Sequence, residues 1–316
     1  MHQLNEYTVI DIVEPIIGFK LSNICLKRNS YINRVFEIEN ADTRDRLIVK
    51  FYRPNRWSEV TILAEHQFLR VFAEFDLPVI PPISLSNKTL FNANGIFFAL
   101  FPKRGGRALD EFDLDMWEQI GRLIGHMHLI GTENTALKQA STHRVTWSPE
   151  SVTVQHLETI LPLVPVDYQK PLQTATQNLI RTATPLFNTT PLIPLHGDCH
   201  RGNLIFRPQE GIYLIDFDDM VIGPAIQDLW MLLPDEVEAC PVEIESFIEG
   251  YRTFFNFNQN SLKLIPYLQG MRLIHFAAWC AIQHTEDHFK DTFPDWGTPR
   301  YWNEIIKKLY EICSVT

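Results

Sequence analysis

Two polar segments joined by an apolar stretch constrain the fold of this 316-residue chain more than any other feature. They read Leu195-His-Gly-Asp-Cys-His-Arg-Gly-Asn203 and Leu214-Ile-Asp-Phe-Asp218. Between them, Asn203–Phe206 and Ile212–Ile215 are rich in β-branched and aromatic residues, which predicts two strands, and Glu210-Gly211 is typical of a hairpin turn. The predicted order is loop, strand, turn and strand, with a carboxylate at the end of the last strand.

Three side chains in these segments have the types and spacing of a magnesium-dependent phosphoryl-transfer site. Four residues separate Asp198 from Asn203, and Asp216 follows the second strand. In kinases, an Asp in this position accepts the proton of the substrate hydroxyl, while the Asn and the later Asp bind magnesium on the nucleotide phosphates. Magnesium prefers oxygen ligands and takes one or two carboxylates besides phosphates and water. The pattern predicts a kinase that uses ATP and Mg2+.

Other interpretations of these polar residues fit less well. An isolated Asp or Asn in a loop usually caps a turn, but that does not explain several matched elements within about thirty residues. The histidines, aspartate and cysteine of segment 196–200 lack the paired spacing of zinc ligands. His284 and His288 are four residues apart but lack the H-E-x-x-H order.

The first third of the chain predicts the nucleotide side of such a site. Residues 35–39 and 47–52 read as an antiparallel hairpin, with Lys50 in its second strand. Ser58 is a plausible N-cap of a following amphipathic helix, in which Glu65 lies beside a predicted apolar face. That face consists of Val60, Ala64, Phe68, Val71, Phe72 and Phe75. We expect Lys50 to contact the nucleotide phosphates and Glu65 to hold it, with Glu59 as the competing partner.

No glycine-rich phosphate-binding motif precedes this hairpin. The corresponding turn is Asn29-Ser-Tyr-Ile-Asn33, in which Ser30 and neighbouring backbone N–H groups can bind phosphate instead. Adenine is expected against the segment Phe98 to Lys103, which overlaps the second strand of another predicted hairpin that turns at residues 92–95.

The distribution of these elements predicts an α+β, bilobal protein-kinase-like fold. The small β-rich N-lobe, with one main helix, is expected to span residues 1–102. The larger C-lobe, residues 103–316, reads as mostly helical, including a helix capped by Asp113. The boundary is placed at Pro102-Lys-Arg-Gly-Gly-Arg107, where the apolar density falls.

Composition narrows the class of partner. The net charge is −10 and the pI is about 5.6, and without a basic stripe nucleic acid is not expected as a partner. Five scattered cysteines and the lack of a signal peptide or a membrane-spanning stretch favour a reducing cytoplasm. The oligomeric state is left open, with a monomer as one expectation.

These motifs resemble the aminoglycoside phosphotransferase/choline kinase branch of the protein-kinase-like fold, in which H-G-D replaces H-R-D. The likeness is closer still to the bacterial serine/threonine protein kinases of that branch that act in stress responses. The segments that carry it are Asn29–Val35, Val49–Pro54, Glu65–Phe68, Leu195–Asn203 and Gly223–Leu233.

The resemblance implies a role for each candidate residue. It makes Asp198 the proton acceptor, and it makes Asp216 both a catalytic residue and, with Asn203, a magnesium ligand. It also places Ser30 at the ATP site and makes Lys50 and Glu65 the pair that orients the phosphates. It also implies that Asp228 braces the catalytic loop through backbone hydrogen bonds. Asp218 departs from the family pattern, which has the glycine of D-F-G at this position, and is expected to touch a second metal.

Two rival functions remain at this point. A small-molecule kinase of the same fold would act on an amino alcohol, aminosugar or aminoglycoside, with aromatic side chains of the later helices lining its substrate site; these are Trp279, Trp296, Trp302 and the neighbouring His275. Helix packing is the simpler explanation of those side chains. A pseudokinase scaffold is the other rival, but Lys50, Asp198 and Asp216 are all present.

Overall fold

The computed structural model describes residues 4–28, 30, 32–109, 111–286 and 289–314. The α-helices are α1 Glu6–Ile17, α2 Glu59–Glu74, α3 Leu114–Glu133, α4 Thr135–Ser141, α5 Val154–Ile160, α6 Val166–Asn188, α7 Gln227–Trp230, α8 Pro241–Arg252, α9 Ile265–Gln283, α10 Phe289–Thr292 and α11 Pro299–Ser314. The strands are β1 Leu21–Arg28, β2 Arg34–Asn40, β3 Arg46–Phe51, β4 Phe91–Ala93, β5 Ile96–Pro102, β6 Arg107–Ala108, β7 Val145–Thr146, β8 Leu192–Leu195, β9 Leu204–Arg207, β10 Gly211–Leu214 and β11 Val221–Pro224.

The predicted α+β organisation is confirmed. An antiparallel sheet of order β1-β2-β3-β5-β4 forms in the first third of the chain, and the later residues are mostly helical. All three predicted hairpins are present: β2 pairs with β3, β4 with β5, and β9 with β10. Alternation and turn residues are local signals, so the sequence was sufficient to predict them.

The two faces of the five-stranded sheet have different chemistry. On one face, Phe36 pairs with Val49 and Val49 with Leu100, and these buried side chains pack with Val9 and Val13 of α1. Lys50 points to the opposite face, since side chains alternate along a strand. The sheet therefore presents a lysine on the face that α1 does not cover.

Helix α1 and strand β1 were not among the predicted elements, although α1 has clear end signals. Asn5 and Thr8 form a capping box at its start, and Gly18 ends it with a φ of 80°. Glu14 then accepts a hydrogen bond from the backbone of Leu21 at 2.8 Å, which joins the helix to β1.

The helix predicted from Ser58 is confirmed as α2. The Ser58 side chain accepts a hydrogen bond from the Thr61 backbone, and Ala64, Phe68, Val71 and Phe72 are buried as predicted. The predicted apolar face was wrong at its ends. Val60 is 52% exposed, and Phe75 is 48% exposed because it lies beyond the last helical residue.

Helices α3 and α8 make backbone-to-backbone contact at glycines. A Cβ atom on Gly121 would collide with the carbonyl oxygen of Phe247, and one on Gly250 would collide with that of Glu118. Glycines, which lack a side chain, thus permit the close approach of the two helices. The helix predicted from Asp113 is confirmed as α3, because the Asp113 side chain accepts a hydrogen bond from the Met116 backbone at its start.

The chain forms two compact units, each of which is densely packed within itself. One extends to Arg144 and adds Asp198–Met220 and Val242–Phe255; the other holds Val145–Gly197, Val221–Pro241 and the chain from Asn256 onwards. In the second unit, β11 lies between β7 and β8 in a small sheet that was not predicted. The lobe boundary between residues 102 and 103 stays a prediction.

None of the helices in the described ranges is long and apolar enough to cross a membrane.

Candidate active site

Lys50 lies among three carboxylates. Its Nζ is 3.2 Å from Asp216 and 3.8 Å from Glu65, and it makes a direct ion pair with Asp218. Burial alone would lower the pKa of Lys50, but the three carboxylates raise it well above its ordinary value. The structure thus brings together Lys50, Glu65 and Asp216 as predicted, and adds Asp218 to the group.

Asp218 is the centre of this group. Its side chain is only 4% exposed, and besides Lys50 it accepts hydrogen bonds from Asn33 at 2.5 Å and Arg56 at 3.3 Å. Burial by itself would raise the pKa of Asp218, but Lys50 and Arg56 outweigh that effect and hold it below its ordinary value. The loosely predicted contact of Asp218 with a second metal stays a prediction.

Glu65, and not the competing Glu59, is the partner of Lys50 on α2. Glu65 is buried, whereas Glu59 is exposed at the start of the helix. The Oε2 atom of Glu65 has no hydrogen-bond partner among the described residues, and burial raises the pKa of this carboxyl well above its usual range despite the opposing charge of Lys50. Glu65 therefore holds Lys50 less closely than Asp216 and Asp218 do.

Asp216 projects from a left-handed backbone conformation at the end of β10. Its φ and ψ angles are 62° and 67°, a region that costs on the order of 1–3 kcal/mol for residues other than glycine. Its side chain is 55% exposed, and the following Phe217 is buried against Phe72 of α2. The strained backbone turns the Asp216 carboxylate towards solvent while Phe217 fixes the segment to α2.

Asp198 and Asn203 belong to the loop of residues 196–203. The Asn203 side-chain amide donates to the Asp198 backbone carbonyl at 2.9 Å, and this bond does not use the amide oxygen of Asn203. Ile215, the residue before Asp216, donates its backbone N–H to the Asn203 carbonyl at 3.0 Å. The predicted metal ligands Asn203 and Asp216 are thereby joined through one intervening residue.

His200 lies beside the predicted proton acceptor. Its Nε2 atom is 3.5 Å from Asp198 Oδ2, and its Nδ1 atom accepts the Gly202 backbone N–H at 3.0 Å. The bond to Gly202 assigns the proton of a neutral ring to Nε2, the nitrogen that faces Asp198.

The predicted bracing role of Asp228 is confirmed by its hydrogen bonds. The two carboxylate oxygens accept the backbone N–H groups of His196 at 2.7 Å and Gly197 at 2.9 Å. Both residues directly precede Asp198 in the chain, so a fully buried carboxylate determines the backbone path into this residue.

Two arginines that the sequence did not single out hold the loop of residues 216–220. Arg56 contacts the carboxylates of Asp218 and Asp219, the latter at 2.5 Å. Arg144 instead donates to the backbone carbonyls of Asp218, at 2.6 Å, and Met220, at 2.9 Å. Arg56 lies two residues after the segment Val49–Pro54, and nothing in its local sequence indicates these distant partners.

Ser30 is described but is not brought into this group by any hydrogen bond or ion pair of the described residues. It lies half-buried between β1 and β2, while Asn29 and Tyr31 of the same predicted turn lie outside the described residues. The segment Phe98 to Lys103 comprises the later part of β5 and the residue after it, and Lys103 donates its backbone N–H to the Arg46 carbonyl at 3.1 Å. Both assignments to the ATP site stay predictions.

The aromatic side chains proposed for a small-molecule site pack against other aromatic rings. Trp302 is fully buried against Trp296 and Tyr301, and Trp279 stacks on Phe276 with ring centres 5.7 Å apart. His275 lies 4.7 Å from the ring of His156. Helix packing accounts for Trp302. Of the two histidines considered as zinc ligands, His288 lies outside the described residues.

The donor set of the site suits magnesium. Asn203 and Asp216 offer one amide oxygen and an exposed carboxylate, and magnesium usually completes such a pair with substrate phosphates and water. In the part of the chain that the structure describes, no three His, Cys, Asp or Glu side chains form a cluster for a metal ion. The residues present fit a metal held jointly by protein and nucleotide.

Comparison with known proteins extends this assignment. Residues 26–265 match the phosphotransferase enzyme (APH) family. Stress response kinase A of Escherichia coli strain K12 is 35% identical over 288 residues, which cover 90% of this chain and 85% of that protein. Serine/threonine protein kinase RdoA of Salmonella typhimurium strain LT2 is 34% identical over 286 residues, with the same coverage of both chains.

Solved structures show the same fold at lower identity. Amicoumacin kinase, in complex with AMP-PNP and Ca2+, has a TM-score of 0.77 and 19% identity, covering 97% of this chain and 95% of that one. A microcompartment-associated aminopropanol kinase has a TM-score of 0.69 and 18% identity, with the same coverage. The predicted kinase-like fold and family resemblance are confirmed, and this chain belongs to the phosphotransferase enzyme (APH) family.

Proposed function

We propose that this phosphotransferase is a serine/threonine protein kinase of the stress response kinase A type, which uses ATP and Mg2+. The observation that carries the proposal is the ion pair between Lys50 of β3 and Asp216 at the end of β10, with Glu65 close by. It supports one site in which a nucleotide-binding lysine and a metal-binding aspartate meet.

The chain's own residues supply positioning and proton transfer in this proposal. Lys50 binds the nucleotide phosphates, with Ser30 at the same ATP site, and Glu65 limits the directions in which Lys50 can extend. Asp198 accepts the proton of the attacking hydroxyl, and its backbone is set by Asp228 and Asn203. Magnesium, held by Asn203 and Asp216, neutralises charge on the phosphates when bound.

The proposed acceptor is a serine or threonine hydroxyl of a protein. The relatives at 34–35% identity, which match most of this chain, are named stress response kinase A and serine/threonine protein kinase RdoA. The small-molecule kinases among the solved structures support the fold alone, because their identity is 10–19%. We also propose that the enzyme acts in the cytoplasm, where its cysteines stay reduced.

The test is transfer of labelled γ-phosphate from ATP in the presence of Mg2+. Wild type would be compared with Asp198→Asn and Asp216→Ala, and Asp11→Asn, an exposed change on α1, is the matched control. A generic protein substrate and a panel of amino alcohols and aminosugars would be offered in parallel.

We expect label on protein, a loss of about 100-fold or more in both site variants, and full activity in the control. Asp198→Asn should still bind ATP, because its role is in proton transfer. Label on a small molecule alone would replace the proposed acceptor, and wild-type turnover in Asp198→Asn would overturn its assignment as the base.

A further inference from the structure

Arg144 holds three backbone carbonyls at once, in the turn that follows α4. Its Nε donates to Met220 at 2.9 Å, one terminal nitrogen donates to Asp218 at 2.6 Å, and the other donates to Thr61 of α2 at 3.2 Å. A guanidinium presents its donors in a rigid planar fork, whereas a lysine ammonium is a compact charge that cannot reproduce this arrangement.

The environment of Arg144 keeps this fork in place. The residue is 7% exposed, and its guanidinium carbon lies 5.0 Å from the centre of the Trp57 ring. Burial lowers the pKa of Arg144 from its ordinary value, while the carboxylates of Glu65 and Asp219 act against this. A buried cation that bonds to carbonyl oxygens and lies beside an aromatic ring has little freedom to move.

The carbonyls that Arg144 contacts belong to two segments, the loop of residues 216–220 and helix α2. Asp218 and Met220 follow the left-handed Asp216, whose conformation persists only where neighbouring contacts enforce it. Thr61 lies one turn before Glu65 on the same helix. Arg144 therefore ties the backbone that presents the Asp216 carboxylate to the helix that presents the partner of Lys50.

We propose that Arg144 is a positioning residue, which couples nucleotide binding to metal binding by holding the 216–220 loop against α2. The inference rests on the proposed function, since it assumes that Asp216 binds the metal and Lys50 the nucleotide. Arg144 itself touches neither ligand in this proposal. Its loss should separate the two binding events while nucleotide binding without metal remains.

The test is isothermal titration calorimetry of the full-length protein with ADP, with and without MgCl2. In the wild type we expect magnesium to tighten ADP binding by roughly tenfold or more. In Arg144→Lys, which keeps the charge but not the fork, the gain should fall to about twofold or less. Affinity without magnesium should match the wild type within about threefold.

The matched control is Arg70→Lys, since Arg70 pairs with Glu74 on the exposed side of α2. It should keep the full magnesium gain. A purely structural role for Arg144 predicts a lower unfolding temperature with an unchanged magnesium gain, and that result would overturn the inference.

A second variant covers loss of folding in Arg144→Lys. Trp57→Leu removes the ring beside the guanidinium and should also lower the magnesium gain, and an unchanged gain in a folded Trp57→Leu would then count against the inference. If the wild type binds no ADP, or binds it equally well without magnesium, the proposed function itself fails.

Discussion

The loops of residues 196–203 and 216–220 carry the candidate chemistry, and opposite charges hold them. The chain that enters Asp198 is fixed by an anion, because Asp228 accepts two backbone N–H groups. The loop after Asp216 is fixed by cations, because Arg144 donates to its carbonyls and Arg56 to its carboxylates. The first loop is therefore held through backbone N–H groups, and the second is held through backbone carbonyls and side-chain carboxylates.

This difference bears on how each loop can respond to ligands. The hydrogen bonds that Asp228 accepts from His196 and Gly197 lie within one compact unit, and their donors are backbone N–H groups. The 216–220 loop instead shares Lys50 between Asp216 and Asp218. A nucleotide that recruits Lys50 must compete with these carboxylates, so we expect this loop to respond to ligands and the 196–203 loop to stay as it is.

Loss of the Asp228 carboxylate should have the largest effect on stability and turnover. Asp228→Ala would leave two buried N–H groups without their acceptor, and we expect a loss of about 3 kcal/mol in the free energy of unfolding and of about 100-fold in turnover. Urea unfolding and steady-state kinetics measure these. Asp228→Asn, which keeps one acceptor oxygen, should lie between the wild type and the alanine variant. Equal stability of all three would contradict the bracing role.

Removal of Arg56, which holds the loop of residues 216–220, should lower the free energy of unfolding by less. Arg56→Ala removes the contacts with Asp218 and Asp219, and we expect a loss of about 2 kcal/mol in the free energy of unfolding, with weaker binding of magnesium–ATP. Arg122→Ala serves as the control, because Arg122 pairs with Glu118 on an exposed helix surface and such pairs contribute about 0–1 kcal/mol. Similar losses in both variants would show that the buried position of Arg56 has no special effect.

The smallest effect concerns a neutral group beside this charged region. His66 is buried between Tyr52 and Thr89, each 2.9 Å away, and burial lowers its pKa to about 3. Because the unfolded chain binds a proton near pH 6.5, His66 contributes stability that is complete above that pH and is lost as the pH falls towards 3.

Between pH 7 and pH 5.5 we expect His66 to account for a loss of about 1 kcal/mol. Urea unfolding of wild type and His66→Gln at both pH values gives the difference in slope, and parallel slopes would disprove the assignment. His156, whose pKa burial lowers to about 4, shifts both slopes in the same direction and cancels in the comparison.

Local patterns explain which parts of the site were predictable. Asp198, Asn203 and Asp216 stand at fixed offsets around one hairpin, so the spacing itself brings them together. Lys50 was recognisable from its position in a strand that precedes a capped helix. Helix α1 was not predicted, although Asn5 and Gly18 mark its ends.

The contacts of Asp218 lay beyond any sequence pattern. Asn33, Arg56 and Arg144 reach it from positions 74 to 185 residues away. Each is polar and stands in a turn, where exposure to solvent is the ordinary expectation. Burial and pairing arise only when distant segments meet.

The sequence by itself determined the α+β organisation, the hairpins and the candidate residues for phosphoryl transfer, because alternation, capping and motif spacing are properties of neighbouring residues. Only the tertiary structure decided which charges pair. It placed Lys50 nearer to Asp216 and Asp218 than to Glu65, and it made Arg144 a hydrogen-bond donor to backbone carbonyls. The reason is physical: a charge that leaves water must be matched by whatever partners the fold supplies, and those partners come from anywhere in the chain.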